Sequence, residues 1–340
     1  MRNEMLPDHD VVVLSRIRLS RNYSDLPFSP GLDKEGAQTV LARAKQALSE
    51  EDLSYYRLSD MADYARRHLL EHRLISYDLL KFQERAQALI SYDESMTVMI
   101  GENDHLRIQG QYPALQLERA AERAFAAEEL LSQQALFAFD ERWGYLTACP
   151  TDVGTGLRAS VLLHLPALSE AKQINAIGQA LSKLGLSVRP SYGENSDTAG
   201  SLYLLANQVT LGRTEEDIIR SVMAATRQVA GHERQLRQQL LDQDREALTD
   251  RLMRSAGILM NARLLSTHEW MERYSDLRLA AEIDLIDIPM LEIDRMMMKM
   301  CGGSLQVGAG RELTDREQEQ IRAQSLRERL RELRAPIGGV

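Results

Sequence analysis

Residues 96–109, MTVMIGENDHLRIQ, place two short β segments on either side of a turn at Gly101. After the apolar run that enters the turn come Glu102, Asn103, Asp104, His105 and Arg107, five groups able to carry charge or hydrogen bonds in six positions. The amide of Asn103 is wedged between two carboxylates, an order that needs a chemical reason.

Working outward, DVVVLSRIRLSRN at the amino end alternates like a strand, with Arg16 and Arg18 on one side and Ile17 and Leu19 on the other. Pro27, Pro30 and Gly31 then break it. Good helix formers fill residues 33–48, a second helical stretch covers roughly 60–72, and 114–131 form a strong helix with Leu117, Ala121, Ala124 and Leu131 near one face. Further strands are expected in RASVLLHLP, LSVRPS and SLYLLANQVTLG, with a helix at about 169–184 and another capped by Thr214, whose first turn carries acids. Beyond about residue 240 no convincing strand occurs. A domain boundary is expected there, a flexible link at CGGSLQVGAG, and adaptable core packing in the methionine cluster MLEIDRMMMKM.

Composition narrows the function. A chain of 340 residues is read as two domains, or one large domain with an appendage, and aromatic content of 5% favours helix-rich packing over an all-β sandwich. The net charge of -9 argues against nonspecific binding of nucleic acid, while leaving room for a local arginine-lined pocket. Cys149 and Cys301 are too few and too far apart for a disulfide framework, so a reducing compartment is expected. No signal peptide or apolar run of membrane-spanning length is visible, and a cytoplasmic protein is the plain expectation.

Arginine carries the first chemical signal. Arg16, Arg18, Arg107, Arg158 and Arg189 all lie in or beside strands and loops, and converging planar forks would hold a polyphosphate without a nucleotide P-loop. No G-x-x-x-x-G-K-[ST] occurs, and GTGLRAS lacks the third glycine of a dinucleotide fingerprint. Each arginine taken singly is more often a solvated surface residue. The loop CPTDVGTGLR sets Cys149 ahead of small residues whose N–H groups suit an anion, with Arg158 placed to favour a thiolate; alone, the loop reads as a buried cysteine at a strand end. His68–His72, HLLEH, has the spacing of some zinc peptidases, but no distal ligand can be nominated, and a solvated helix face is expected.

Together LSRIRLSRN (14–22), ENDHLRIQ (102–109), GYLTACPTDVGTGLRASVLLHLP (144–166), YGENSDTAGSLYLLANQVTLGRTEEDI (192–218) and SLRERLREL (325–333) resemble the guanidino-kinase (phosphagen kinase) family, and within it the bacterial protein-arginine kinases, over nearly the whole chain. The resemblance implies an α+β fold: a catalytic domain at 1–240 on a curved antiparallel sheet flanked by helices, with a reduced helical amino-terminal portion at about 30–90. A helical C-terminal domain at 241–340 would serve dimerisation and phosphoarginine binding. It places Ser15, Arg16, Arg18, Arg107, Arg158, Ala159, Ser160, Arg189, Tyr192 and Gly193 on the phosphates of ATP, with Mg²⁺ carried by ATP rather than by protein ligands. His72 or Arg73 would lie near the nucleotide. Cys149 becomes a thiolate beside the guanidinium substrate and Glu194 a carboxylate gripping it.

The implied reaction is in-line transfer of the γ-phosphoryl group to arginine side chains of proteins, marking them for a Clp-type ATPase and protease. A homodimer and an activator protein are implied as partners, and nucleic acid and membrane are not. Three departures stand out. The family motif N-E-E-D-H-[LI]-R has its catalytic carboxylate where this chain has Asn103, so Glu102 or Asp104 would have to serve as base if the turn is rotated; without one, the rate falls roughly 10²- to 10⁴-fold. The phosphoarginine motif R-D-x-x-R-A is reduced to Gln318, Glu319, Arg322 and Ala323 around two intervening residues. The family histidine before LIS is Arg73. Two other readings stay open: a pseudokinase that binds ATP or an arginine-bearing partner, and a kinase for free arginine.

Overall fold

The computed structural model describes residues 6–191 and 199–333. Strand β1 (Val12–Arg21) is followed by α1 (Lys34–Ala47), β2 (Leu53–Arg57), α2 (Asp63–Glu71), α3 (Tyr77–Leu80), β3 (Gln87–Ser91), β4 (Met96–Ile100), β5 (Leu106–Pro113) and α4 (Leu117–Ser132). A small hairpin, β6 (Phe139–Asp140) and β7 (Gly144–Tyr145), precedes β8 (Leu157–His164), α5 (Pro166–Glu170), α6 (Ile174–Ser182), β9 (Leu186–Pro190) and β10 (Leu202–Asn207). Helices α7 (Glu215–Asn261), α8 (Thr267–Glu282), α9 (Met290–Lys299), α10 (Gly302–Ala309) and α11 (Asp315–Glu332) complete the chain.

Eight strands form one antiparallel sheet in the order β2-β3-β4-β5-β1-β8-β10-β9. The alternation of β1 decides its two faces. Ile17 and Leu19, both wholly buried, join Ile108, Val98, Leu157, Val161 and the inner faces of α1, α4 and the first half of α7 in the main core. Helix α4 crosses β5 so closely that a Cβ on Gly110 would stand 2.1 Å from the carbonyl oxygen of Ala120.

The opposite face is divided. At one end Leu14, Leu162 and Leu202 lie under a second core built by the later half of α7 with α8 to α11, centred on Trp270, Tyr274, Leu252, Met296 and Leu326. At the other end the side chains are arginines.

A buried polar cluster pins the two layers together. Arg278, wholly buried, donates to Asp294 (3.0 Å), to Glu282 and to the carbonyls of His9 and Asp10 (2.6 and 2.9 Å). Arg237 reaches Glu282 from α7 at 3.1 Å, and His164 of β8 bonds to Glu282 and Ser275. Burial pushes the Glu282 carboxyl up to about 7 against the pull of both arginines. Removing one partner strands the others without water, so Arg278→Ala is expected to lower unfolding free energy by about 3–5 kcal/mol in denaturant titrations.

Two expectations are corrected, and the boundary expected near 240 falls within one helix, close to a break in it. The segment 30–90 is not purely helical, since β2 and β3 within it extend the main sheet. Residue 240 lies inside α7, whose helical geometry breaks only at Asp244 (φ -157°, ψ 81°), where the carboxylate accepts from the Ala247 N–H and restarts the helix. The supposed link at 301–310 is mostly α10, docked on α2.

Candidate active site

Strand register alone brings the arginines to one face. Arg18 pairs across from Arg158 on β8 and Gln109 on β5, and Arg107 pairs across from Ser20, two residues along β1 from Arg18. Leu14, Leu162, Leu204 and Arg189 follow one another across β1, β8, β10 and β9. Directly paired residues share a face, and alternate residues of a strand do too. Arg16, Arg18, Arg107, Arg158 and Arg189 therefore project from the same side of the sheet.

Their electrostatics show how closely they meet. Burial drives the Arg16 guanidinium well below its ordinary pKa, and the charges of Arg18, Arg73, Arg107 and Arg189 push it further. Arg18 is drawn down to about 9 by burial and by Arg107, Arg158 and Arg73, against the pull of Glu102. Among the described residues, two carboxylates pair directly with these five arginines: Glu102 with Arg107 at 2.8 Å and Asp152 with Arg158 at 3.0 Å. Arg18 Nε is buried without a hydrogen-bond partner. An orphaned donor within a surplus of guanidinium charge fits a polyphosphate, whose oxygens would supply both acceptor and counter-charge.

The turn at Gly101 explains the crowding after it. Gly101 takes φ +82°, its N–H closes on the carbonyl of His105 at 3.2 Å, and a Cβ there would meet the Arg85 carbonyl at 3.0 Å. Asp104 is buried and its Oδ1 accepts from Asn22 Nδ2 and from the Ala148 N–H, both at 2.7 Å, tying β1, the turn and the cysteine loop together. His105 Nδ1 accepts from the Tyr23 N–H at 3.0 Å, so its Nε2–H donates to the Pro27 carbonyl at 2.7 Å. Glu102 is wholly buried, accepts from Ser76 and Arg107, and has its carboxyl pKa raised by burial.

The turn is pinned in place: Glu102 orients Arg107, and Asp104 ties it to β1 and the cysteine loop through Oδ1, while its Oδ2 is buried without a hydrogen-bond partner among the described residues. Glu102→Gln is expected to weaken ATP binding about tenfold by loosening Arg107, with kcat at saturating ATP little changed. Initial rates over a range of ATP would show it; a collapse of kcat alone would restore Glu102 as the base. Asn103, half-buried, makes no side-chain hydrogen bond among the described residues.

Cys149 is half-buried and precedes a short turn at Pro150–Asp152, with Sγ 3.0 Å from Thr151 Oγ1. Thr210 Oγ1 is 3.0 and 2.7 Å from the carbonyls of Thr151 and Val153, and Arg21 donates to Thr155 at 2.9 Å, so the loop is held from both sides.

Other expected contacts fall elsewhere. Ser15 and Ala159 have the wrong strand parity for the arginine face: Ser15 donates to the Ala114 carbonyl at 2.7 Å beneath α4, while Ala159 lies in the core with its N–H on Asn207. Ser160 keeps the correct parity, 3.4 Å from Arg16 Nε. His72 pairs with Ser304 and Glu94; its neighbour Arg73, which sequence reasoning left paired with His72 as alternatives, stands close enough to Arg16 and Arg18 to press on their charges. Tyr192, Gly193 and Glu194 lie outside the described residues. Arg322 is buried and donates to the carbonyls of Met300 and Leu265 and to Thr267 Oγ1, at 2.7–2.9 Å, while Gln318 bonds to the Leu313 carbonyl, the Glu319 carbonyl accepts from Leu265, and Ala323 is core.

The HLLEH motif is not a solvated face: His68 Nδ1 and His72 Nε2 lie 3.1 and 3.0 Å from the hydroxyl of Ser304 on α10. Burial first, and then the neighbouring His72, lowers the pKa of His68 to about 4. An unfolded histidine titrates near 6.5, so between about 6.5 and 4 the unfolded chain binds the extra proton. The stability of this junction is complete above that window and is lost as pH falls through it. Thermal melts from pH 7 to 4 are expected to drop more steeply for the wild type than for His68→Gln.

An antiparallel sheet that gathers a row of arginines on one face, with a half-buried cysteine in the loop beside it, is the arrangement that the resemblance to guanidino kinases implies. The chain belongs to the ATP:guanido phosphotransferase family: the family's C-terminal catalytic domain matches residues 35–236, and the protein-arginine kinase McsB C-terminal domain matches residues 245–338. It is 40% identical to the protein-arginine kinase of Halothermothrix orenii over 95% of this chain and 94% of that one, and 40% identical to that of Moorella thermoacetica over 95% of each. The fold is also that of lombricine kinase (TM-score 0.59, 23% identity, 67% of each chain). The duplicated taurocyamine kinase of Schistosoma mansoni shares it as well (TM-score 0.60, 24% identity, 76% of this chain and 38% of that one).

Proposed function

We propose that the protein is an ATP-dependent protein-arginine kinase. The observation that carries this reading is the single-faced row of Arg16, Arg18, Arg107, Arg158 and Arg189, five guanidiniums with which two carboxylates pair directly among the described residues. It suits the triphosphate of ATP, with Mg²⁺ riding on phosphate oxygens. In the step, a bond forms between an arginine guanidinium nitrogen and the γ-phosphorus as the bond to the β-γ bridging oxygen breaks; ADP leaves and the guanidinium loses a proton. Positioning and charge stabilisation supply most of the rate in such a transfer. Cys149 and Glu194 hold the incoming guanidinium; because Asn103 cannot take the proton, the proton passes to a neighbouring carboxylate or to water, more slowly than to a carboxylate at position 103.

Residues 1–240 form the catalytic domain and 241–340 the helical one, which serves dimerisation. Protein substrates with exposed arginine, an activator protein, a Clp-type ATPase and protease that consumes the mark, and a cytoplasmic setting rest on the resemblance. A McsB-type C-terminal region favours protein over free arginine as acceptor.

Asn103 favours a second reading, a pseudokinase that binds ATP without turnover, because an amide cannot accept a proton. Incubation with Mg-ATP and an arginine-rich protein, followed by mass spectrometry for acid-labile phosphoarginine, separates the two. Phosphoarginine from the wild type supports the kinase; ATP binding with no phosphoarginine establishes the pseudokinase.

A further inference from the structure

Arg73 is an unusual member of the cluster, because it comes from no strand of the sheet. It follows the last turn of α2 at φ +60°, a left-handed conformation that costs a non-glycine residue energy and persists only where its surroundings enforce it. On the sheet side, Gln109 Nε2 donates to its carbonyl at 2.7 Å and its Nη2 donates to Ser191 Oγ at 2.9 Å. Gln109 itself is the strand partner of Arg18.

The other constraint comes from the distant C-terminal helices. Glu71 Oε2 accepts from the N–H groups of Gly303 and Ser304, at 2.9 and 3.4 Å, where α10 exposes unsatisfied donors and positive dipole. The Ser304 hydroxyl donates to the Met298 carbonyl at 2.9 Å, leaving its lone pairs for His68 and His72, whose rings stand 4.1 Å apart. The approach is so close that a Cβ on Gly303 would fall 2.5 Å from the His68 backbone nitrogen and 2.8 Å from Glu71 Oε2. Apart from the Ser304–Met298 bond, all of these contacts are made by residues among the five that immediately precede Arg73.

We infer that the amino end of α10 is a positioning element of the nucleotide site: by gripping Glu71, His68 and His72 it fixes where the Arg73 guanidinium stands among Arg16, Arg18 and Arg107. The C-terminal helical layer is then part of the phosphate clamp although none of its side chains enters it. This rests on the reading of the cluster as the ATP-phosphate site.

A double-mutant cycle on the full-length protein tests it, with MgATP affinity read by calorimetry. Gly303→Ala wedges α10 from α2, and Arg73→Ala removes the proposed end of the relay. Each is expected to weaken MgATP about tenfold, the scale of one charged hydrogen bond, and the double variant should bind no more weakly than Arg73→Ala alone. Ser304→Ala, which deletes only the hydroxyl, should give a smaller loss that likewise vanishes in the Arg73→Ala background, and serves if Gly303→Ala does not fold. Losses that multiply in the double variants, or wild-type affinity in both α10 variants, would overturn the inference while leaving the ATP site intact. A wild type that binds no MgATP would overturn the ATP reading and this inference with it.

Discussion

Asn103→Glu raises the rate of arginine phosphorylation by about 10²- to 10⁴-fold, the span that a positioned general base contributes. The guanidinium acceptor is protonated at neutral pH and its lone pair is delocalised, so a carboxylate has to align it and take its proton. Asn103 can align through its carbonyl oxygen but cannot accept. Its neighbours are held by other bonds: Glu102 by Ser76 and Arg107, Asp104 by Asn22 and the Ala148 N–H. The position itself is half-buried and free of side-chain hydrogen bonds among the described residues, so a carboxylate one methylene longer breaks no existing contact. Single-turnover transfer from labelled ATP, with both proteins at saturating nucleotide, measures the change. A flat response would place the rate limit away from this residue.

Arg16→Met is expected to stabilise the protein and disable it together. Arg16 is only 7% exposed, its best polar contact is Ser160 at 3.4 Å, and four other guanidiniums repel it. An unflexed apolar chain of similar length relieves that repulsion and the desolvation of a charge, worth about 1–3 kcal/mol in denaturant unfolding. In the same variant phosphoryl transfer should fall about 10²-fold, the usual loss when one preorganised charge on a developing anion is removed. Stability that falls alongside activity would mean that Arg16 is a structural residue.

The part of the site that follows a two-residue period was legible in the sequence. Alternation in SRIR already separated Arg16 and Arg18 from Ile17 and Leu19, and Gly101 marked the turn. The same rule, applied to Ser15 and Ala159, would have excluded them from the phosphate face. Arg107, Arg158 and Arg189 needed the strand order and register, which no local pattern carries. Arg73 was harder still, because its placement depends on α10, more than 200 residues later, and on a positive φ that its side chain does not favour. The glycines of α10 looked like a linker for the same reason: a local reading sees conformational freedom where the folded chain uses a missing Cβ for close approach. Strand β3 is buried along its whole length and so lacks the alternation that reveals a half-exposed strand.

The shared face of the sheet bears on how such proteins can be cut and recombined. Two separate family domains match this chain, with a junction between residues 236 and 245, which invites treatment of the halves as interchangeable modules. Yet Val13, Leu162 and Leu202 of the sheet belong to the same core as Trp270 and Leu326, and α7 runs through the junction. Cutting there would bare an oily patch beside the arginines. Inheritance has joined two domains that this fold no longer permits to be traded one at a time.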